Sequence, residues 1–241
     1  MPEPLTVAVA QPRCAGSDVA ANAVLHAEAV RDAGARLVVF PELSLTGYDL
    51  AAPAVAVDDP RLAPLIDACR STGSTALAGA PWRDAEGREY IATLAVTGEG
   101  AEAVYAKMHL HGPEGLRFTP GEKPVAFEVD GWRLGLAVCR DAAVPEHATR
   151  TAALGIDAYV AGTLYGEGPE QSARRDAHMR ERARAHGVWV VLSTAAGPSG
   201  EYQETSGGSG VWSPDGSPVA QAGSAPGEVL TTVLGRPDAT V

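Results

Sequence analysis

Three residues of unlike chemistry occupy equivalent places in this chain. Glu42 follows the apolar run RLVVF (36–40) and Pro41, Lys107 follows AEAVYA (101–106), and Cys139 closes LGLAVC (134–139). Each lies just past the predicted C-terminal end of a strand, which is where α/β sheets form their ligand crevices. A carboxylate, an ammonium and a thiol converging there would make a nucleophilic site: the thiol attacks, the carboxylate removes its proton, and the ammonium holds the developing oxyanion. Taken singly, each also has a plain structural reading. The cysteine would be a small buried hydrophobe, Glu42 the cap of a turn, and Lys107 a solvated strand end.

The elements that must position these groups alternate in period. Residues 5–10 (LTVAVA) read as a strand, and 19–33 place apolar residues at helical spacing behind Ser17 or Asp18 as N-cap, with Gly34 closing the helix. The run 36–40 is nearly continuous in apolar residues, as a strand buried on both faces requires. A helix over 61–71 and a strand over 75–80 follow. Four short β runs (90–96, 101–106, 125–129, 134–138), mostly separated by turn residues such as Gly98, Gly100, Asp130 and Gly131, read as antiparallel. Alternation then returns: helix 144–155, strand 158–161, helix 170–186, strand 188–193, and three closing strands near 209–212, 219–222 and 229–233. The Gly/Ser-rich stretch 197–210 is the most loop-like, and 235–241 reads as a loose tail. Two halves of similar texture predict an α/β fold, a four-layer α-β-β-α sandwich over residues 1–241 as one domain, with a core of about 4–235.

Composition removes several classes. With 45% apolar and 20% charged residues the 241-residue chain is an ordinary globular sequence, not a disordered one. No apolar stretch is long enough to cross a membrane, and residues 1–6 lack the features of a secretory signal. The net charge of −11 argues against nucleic acid or an anionic membrane as partner. Three widely spaced cysteines, Cys14, Cys69 and Cys139, suit a reduced cytoplasmic protein better than a disulfide framework or zinc site. There are 17 arginines and only two lysines, so the choice of lysine at 107 stands out, an ammonium and a guanidinium not being interchangeable.

Longer segments extend the pattern. Residues 39–48 read VFPELSLTGY, 106–121 read AKMHLHGPEGLRFTPG, and 135–146 read GLAVCRDAAVPE. In that order they resemble the signature blocks of the nitrilase superfamily of carbon–nitrogen hydrolases, in its amidase-like branch. Weaker similarity continues in 5–11, 181–197 and 208–216. The resemblance implies a Glu-Lys-Cys triad at Glu42, Lys107 and Cys139, a second glutamate at Glu114, and the same α-β-β-α sandwich. It further implies hydrolysis of a small amide through a thioester, without cofactor or metal, by a homodimer or higher oligomer. Lys107 and helix N-terminal amides after Cys139 would favour the thiolate, and Lys107 with the Arg140 N–H would hold the oxyanion. Tyr48, Arg140 and Asp141 are the candidate substrate contacts.

The chain also departs from the family pattern. Arg140 stands where an aromatic residue is common, and it could bind a substrate carboxylate or pair with Asp141 or Glu146. Ala142, Ala143 and Val144 are small. Ala185 and His186 replace a frequent Glu-Asn pair, and Ser193 or Thr194 falls near a frequent second Asn. Three other features have structural readings. His109, His111 and Glu114 could form a metal cluster but lack clear zinc spacing. Gly207–Gly210 is not followed by the residues of a phosphate loop. The arginines of 174–184 read as a solvated helix face.

Overall fold

The computed structural model describes residues 3–235, so most of the expected tail lies outside the described residues. In chain order the elements are β1 Leu5–Gln11, α1 Val19–Ala33, β2 Leu37–Val39, α2 Ala63–Thr72, β3 Thr75–Arg83, β4 Glu89–Thr97 and β5 Gly100–Ala106. There follow β6 Ala126–Val129, β7 Trp132–Val138, α3 Arg140–Ala143, α4 Pro145–Ala152, β8 Ala158–Thr163, α5 Pro169–His186 and β9 Trp189–Thr194. The last three are β10 Gly210–Trp212, β11 Pro218–Gln221 and β12 Glu228–Leu234.

The strands form two six-stranded mixed sheets, ordered β12-β1-β2-β3-β4-β5 and β11-β10-β9-β8-β7-β6. Side-chain alternation separates the layers. On β1 and β2, Val7, Val9, Leu37 and Val39 point between the sheets, where they meet Leu134, Leu136, Val160 and Val191. The intervening Ala8, Ala10, Val38 and Phe40 face α1 and α2 through Ala23, Ala27, Val30 and Leu65. Ala137, Tyr159, Ala161 and Val190 of the second sheet pack outward on Ala148, Met179 and Ala183 of the other helices. Helices thus cover both outer faces, and the sequence-predicted four-layer sandwich is the observed architecture.

Local chemistry sets the boundaries. Asp18 caps α1 by accepting the Ala21 N–H, and Gly34 ends it in the left-handed region at φ 56°. The helix expected over 144–155 is instead two: α3 begins directly after Cys139, and Pro145 starts α4. Val144 is extended between them (φ −94°, ψ 112°), as the residue before a proline tends to be. The four short β runs do not form one antiparallel meander. β4 and β5 extend the first sheet, while the β6–β7 hairpin, turning at Asp130-Gly131, belongs to the second. The closing strands are also divided. β10 and β11 complete the second sheet, but β12 crosses back to pair antiparallel with β1 from Leu5↔Leu234 to Gln11↔Glu228. Short β runs carry no label for the sheet they join, so this division is not visible in composition.

Two arginines of α5 depart from the expected solvated face, while Arg174, Arg180 and Arg184 are exposed. Arg175, Met179 and Arg182 share one stripe and are buried. Arg175 donates to Gly207 O and Ser206 Oγ, and Arg182 Nε donates to Ala142 O (3.1 Å). Through these guanidiniums the helix is tied to the 206–207 loop and to α3.

Candidate active site

Glu42 sits on the loop after β2. That loop is tied to β3 by Phe40 N–H to Leu77 O (2.9 Å) and Leu45 N–H to Gly79 O (3.0 Å). Gly79 permits the approach, because a Cβ there would lie 2.3 Å from Leu43 N and 2.5 Å from Pro41 O. Leu43, next to Glu42, holds φ 51°, an uncommon value for a residue with a side chain. Lys107 continues past β5, its N–H donating to Ile91 O (2.8 Å). Glu114 lies in a short 3-10 helix, Gly112–Leu116. Cys139 ends β7 with its N–H on Gly162 O (3.0 Å) and adopts φ 46°, ψ −100°, a strained backbone that turns the strand into α3.

These elements bring the sequence-predicted groups together. Lys107 Nζ donates to Glu42 Oε1 (2.6 Å) and to Glu114 Oε1 (2.7 Å), with all three side chains buried. The Tyr48 hydroxyl donates to Glu114 Oε1 (2.5 Å), and the His111 N–H donates to Glu114 Oε2 (2.7 Å). Glu42 Oε2 is left buried with no hydrogen-bond partner. The Cys139 thiol donates to Leu164 O (3.4 Å).

Electrostatics sort the protons. Burial opposes charge on Lys107, but the carboxylates of Glu42 and Glu114 help to outweigh it and raise its pKa, so it stays an ammonium. Burial lifts Glu42 above the ordinary carboxylate value against the pull of Lys107. Burial, then the Glu42 charge, raise the Cys139 thiol against the opposing pull of Lys107. Lys107 does favour the thiolate, as expected, but burial and the Glu42 charge outweigh it and raise the thiol's pKa, so the sulfur holds its proton beside a carboxylate able to accept it.

The cleft over the sulfur has a volume of about 320 Å³. Glu42, Tyr48, Glu114, Cys139 and Arg140 line it. Asp141 does not, which corrects its expected role as a substrate contact. It is fully buried and accepts the Val138 N–H (3.1 Å), the Tyr105 hydroxyl (2.7 Å), and both the N–H and Nδ1 of His109 (2.8 Å each). Tyr105 in turn meets His147, which meets Tyr159. Asp141 thus clamps β7 to the segment after Lys107 and fixes the distance between the two. His109 turns to this network, and among the described residues no His/Cys/Asp/Glu group converges as a metal site would.

Sequence reasoning missed the far wall of the cleft. Tyr202 reaches in from the Gly/Ser-rich loop and packs edge-on to Tyr48, with centroids 5.3 Å apart. Gly200 places that loop against the Tyr48 backbone, where a Cβ would lie 2.2 Å from the Tyr48 carbonyl. Gln171, Arg174 and His178 come from α5. Their i, i+3, i+7 spacing was available as a signal, but nothing in it says that this stripe faces a cavity. No ion pair joins Arg140 to Asp141 or Glu146 among the described residues.

Comparison with known proteins shows the family and the fold. Residues 6–240 match the carbon-nitrogen hydrolase family. The chain is 33% identical to the hydrolase Rv0480c of Mycobacterium tuberculosis, over 92% of this chain and 86% of that protein. It is 30% identical to an (R)-stereoselective amidase of a Pseudomonas species, over 78% of this chain and 69% of that enzyme. Among solved structures, a cysteine-to-alanine mutant of the amidase from Nesterenkonia sp. AN1 in complex with butyramide superposes with a TM-score of 0.83 at 28% identity, covering 95% of this chain and 90% of that one. The chain belongs to the carbon-nitrogen hydrolase family of the nitrilase superfamily, and it is a hydrolase of C–N bonds.

Proposed function

We propose that this enzyme hydrolyses a small primary amide through a thioester on Cys139, releasing ammonia and a carboxylic acid. The observation that carries the reading is the division of labour at Glu42. One oxygen is fixed by Lys107, and the other is buried, unpartnered and beside a protonated thiol. That is the arrangement of a general base waiting for its proton. A cleft of about 320 Å³ lies at the small end of ligand pockets and suits a small molecule. The structural relative that holds butyramide is named an amidase, which supports the same substrate class here.

The chemistry then follows from the groups in place. Glu42 takes the thiol proton as sulfur attacks the amide carbon. Lys107 and the N–H of Arg140, which opens α3 and so has no intrahelical acceptor, stabilise the tetrahedral oxyanion. Glu42 returns the proton to the departing nitrogen, ammonia leaves, and the thioester remains. Glu42 next deprotonates a water that attacks the thioester, and the released thiolate regains the proton. Glu114, held by Tyr48 and the His111 N–H, fixes the ammonium for both half-reactions.

The test is ammonia release from a panel of primary amides, nitriles and N-carbamoyl compounds, with mass spectrometry of the intact protein. Turnover of amides, and an acyl adduct on wild type that Cys139→Ala lacks, is the expected result. Hydrolysis by Cys139→Ala at the wild-type rate would remove the nucleophile, and exclusive turnover of nitriles or carbamoyl compounds would replace the substrate class. The same reading carries a cytoplasmic homodimer working without cofactor, and sedimentation at micromolar concentration checks the dimer.

A further inference from the structure

The cleft is electrically divided. Its floor holds the carboxylates of Glu42 and Glu114, both paired to the single ammonium of Lys107. Its outer wall is cationic. Arg174 and His178 lie on the cleft-facing stripe of α5, and Arg140 opens α3 beside the sulfur. Arg140 and Arg174 make no ion pair among the described residues. Three carboxylates close to them in the chain are engaged elsewhere. Asp141 is clamped by backbone and side-chain donors, Asp176 accepts from Arg175 Nε (2.9 Å) and Gln221 (2.9 Å), and Glu181 pairs with Arg182 (3.1 Å). Both guanidiniums bear on His178, whose Nδ1 is buried without a partner. Burial first, then the charges of Arg182, Arg174 and Arg140, lower the pKa of that imidazole.

Two unpaired guanidinium forks and an unsatisfied ring nitrogen on one wall are a receptor for a planar anion. We infer that the substrate carries a carboxylate as well as its amide, so that the enzyme acts on the monoamide of a small dicarboxylic acid. The amide lies over Cys139, and the carboxylate lies against Arg140 and Arg174. This rests on the amide reading above. The overall reaction consumes one water and yields ammonia and the dicarboxylate.

The experiment compares kcat/KM for glutaramate and for 5-methylhexanamide, in which an isopropyl group stands where glutaramate has its carboxylate. Wild type is expected to favour glutaramate by at least about tenfold, one charge-assisted contact being enough for that factor. The Arg140→Gln/Arg174→Gln double variant brings the ratio towards one; a ratio of two rates on one protein cancels any general damage. A wild-type ratio near one, or a ratio the double variant leaves unchanged, overturns the inference. If no amide is turned over, binding still decides. In Cys139→Ala, glutarate raises the thermal midpoint and the two glutamines abolish that shift if the carboxylate site stands without the amide chemistry. No shift in Cys139→Ala overturns the site itself.

Discussion

Replacing Lys107 by Met removes the one cation between two buried carboxylates while keeping most of the side-chain volume. Lys107 and Glu42 are 0% exposed and Glu114 is 1% exposed, so solvent does little to screen the change. Breaking a buried ion pair by deleting one partner typically costs about 3–5 kcal/mol, because the remaining charge stays buried and uncompensated. At about 2–4 °C per kcal/mol for a chain of this size, the thermal midpoint should fall by about 6–20 °C at pH 8. The loss should shrink on acidification. Glu42 already titrates above the ordinary carboxylate range in the fold, and without the ammonium it moves higher still. A carboxylate whose folded pKa exceeds its unfolded value binds more protons when folded, so its stabilising contribution is present at low pH and is lost as pH rises through the folded value. Urea unfolding of wild type and Lys107→Met at pH 8 and pH 5.5 reads both effects, and ammonia release should fall by at least about 100-fold. Equal midpoints at pH 8, or a penalty that grows towards pH 5.5, would refute the reasoning.

Four further outcomes follow from the same geometry. Cys139→Gly should unfold at higher urea than Cys139→Ala by about 1 kcal/mol, because only glycine relieves the backbone strain at φ 46°; equal midpoints would mean that no strain is stored there. Gly79→Ala should push the Glu42 loop off β3 and cut kcat at least tenfold, since the added methyl meets backbone at 2.3 Å; full activity would show that the loop yields freely. Asp141→Asn should cost about 1–3 kcal/mol in chemical denaturation by turning donors against donors in a buried cluster, and a surface-like loss of a few tenths would contradict its clamping role. His26 and His147 are each lowered to about 4 by burial, so both stay neutral in the fold while the unfolded chain takes up protons. Their joint contribution is therefore lost as pH falls from about 6.5 to 4, by about 3 kcal/mol each at most, and His26→Gln should flatten that limb in urea titrations at stepped pH.

The fold was legible where periodicity is one-dimensional. The alternation of Val7, Ala8, Val9 and Ala10 already assigns one face to a core and the other to a helix, and Asp18 and Gly34 mark the ends of α1 without reference to anything distant. The sheet to which each short strand belongs was not legible, because β12 and β10 carry similar residues and differ only in which neighbour they find. The site divided in the same way. Glu42, Lys107, Glu114 and Cys139 stand in sequence blocks whose order and spacing identify them. Asp141 stands in such a block too, yet its task is settled by burial, which no spacing reveals. Arg174 and His178 were hidden inside an Arg-rich helix whose orientation only packing fixes. The thiol's raised pKa was also out of reach, because it reflects how far water is excluded from Cys139.

The closing strand has a consequence for the enzyme's birth on the ribosome. Because β12 zips onto β1 along Leu5↔Leu234 to Gln11↔Glu228, the first half of the molecule is synthesised with an open seam. That seam stays exposed until β12 has emerged, presenting unpaired backbone to any neighbouring chain. A chain that stopped between β11 and β12 would carry Glu42, Lys107, Glu114 and Cys139 yet leave the sheet that holds Glu42 without its edge strand.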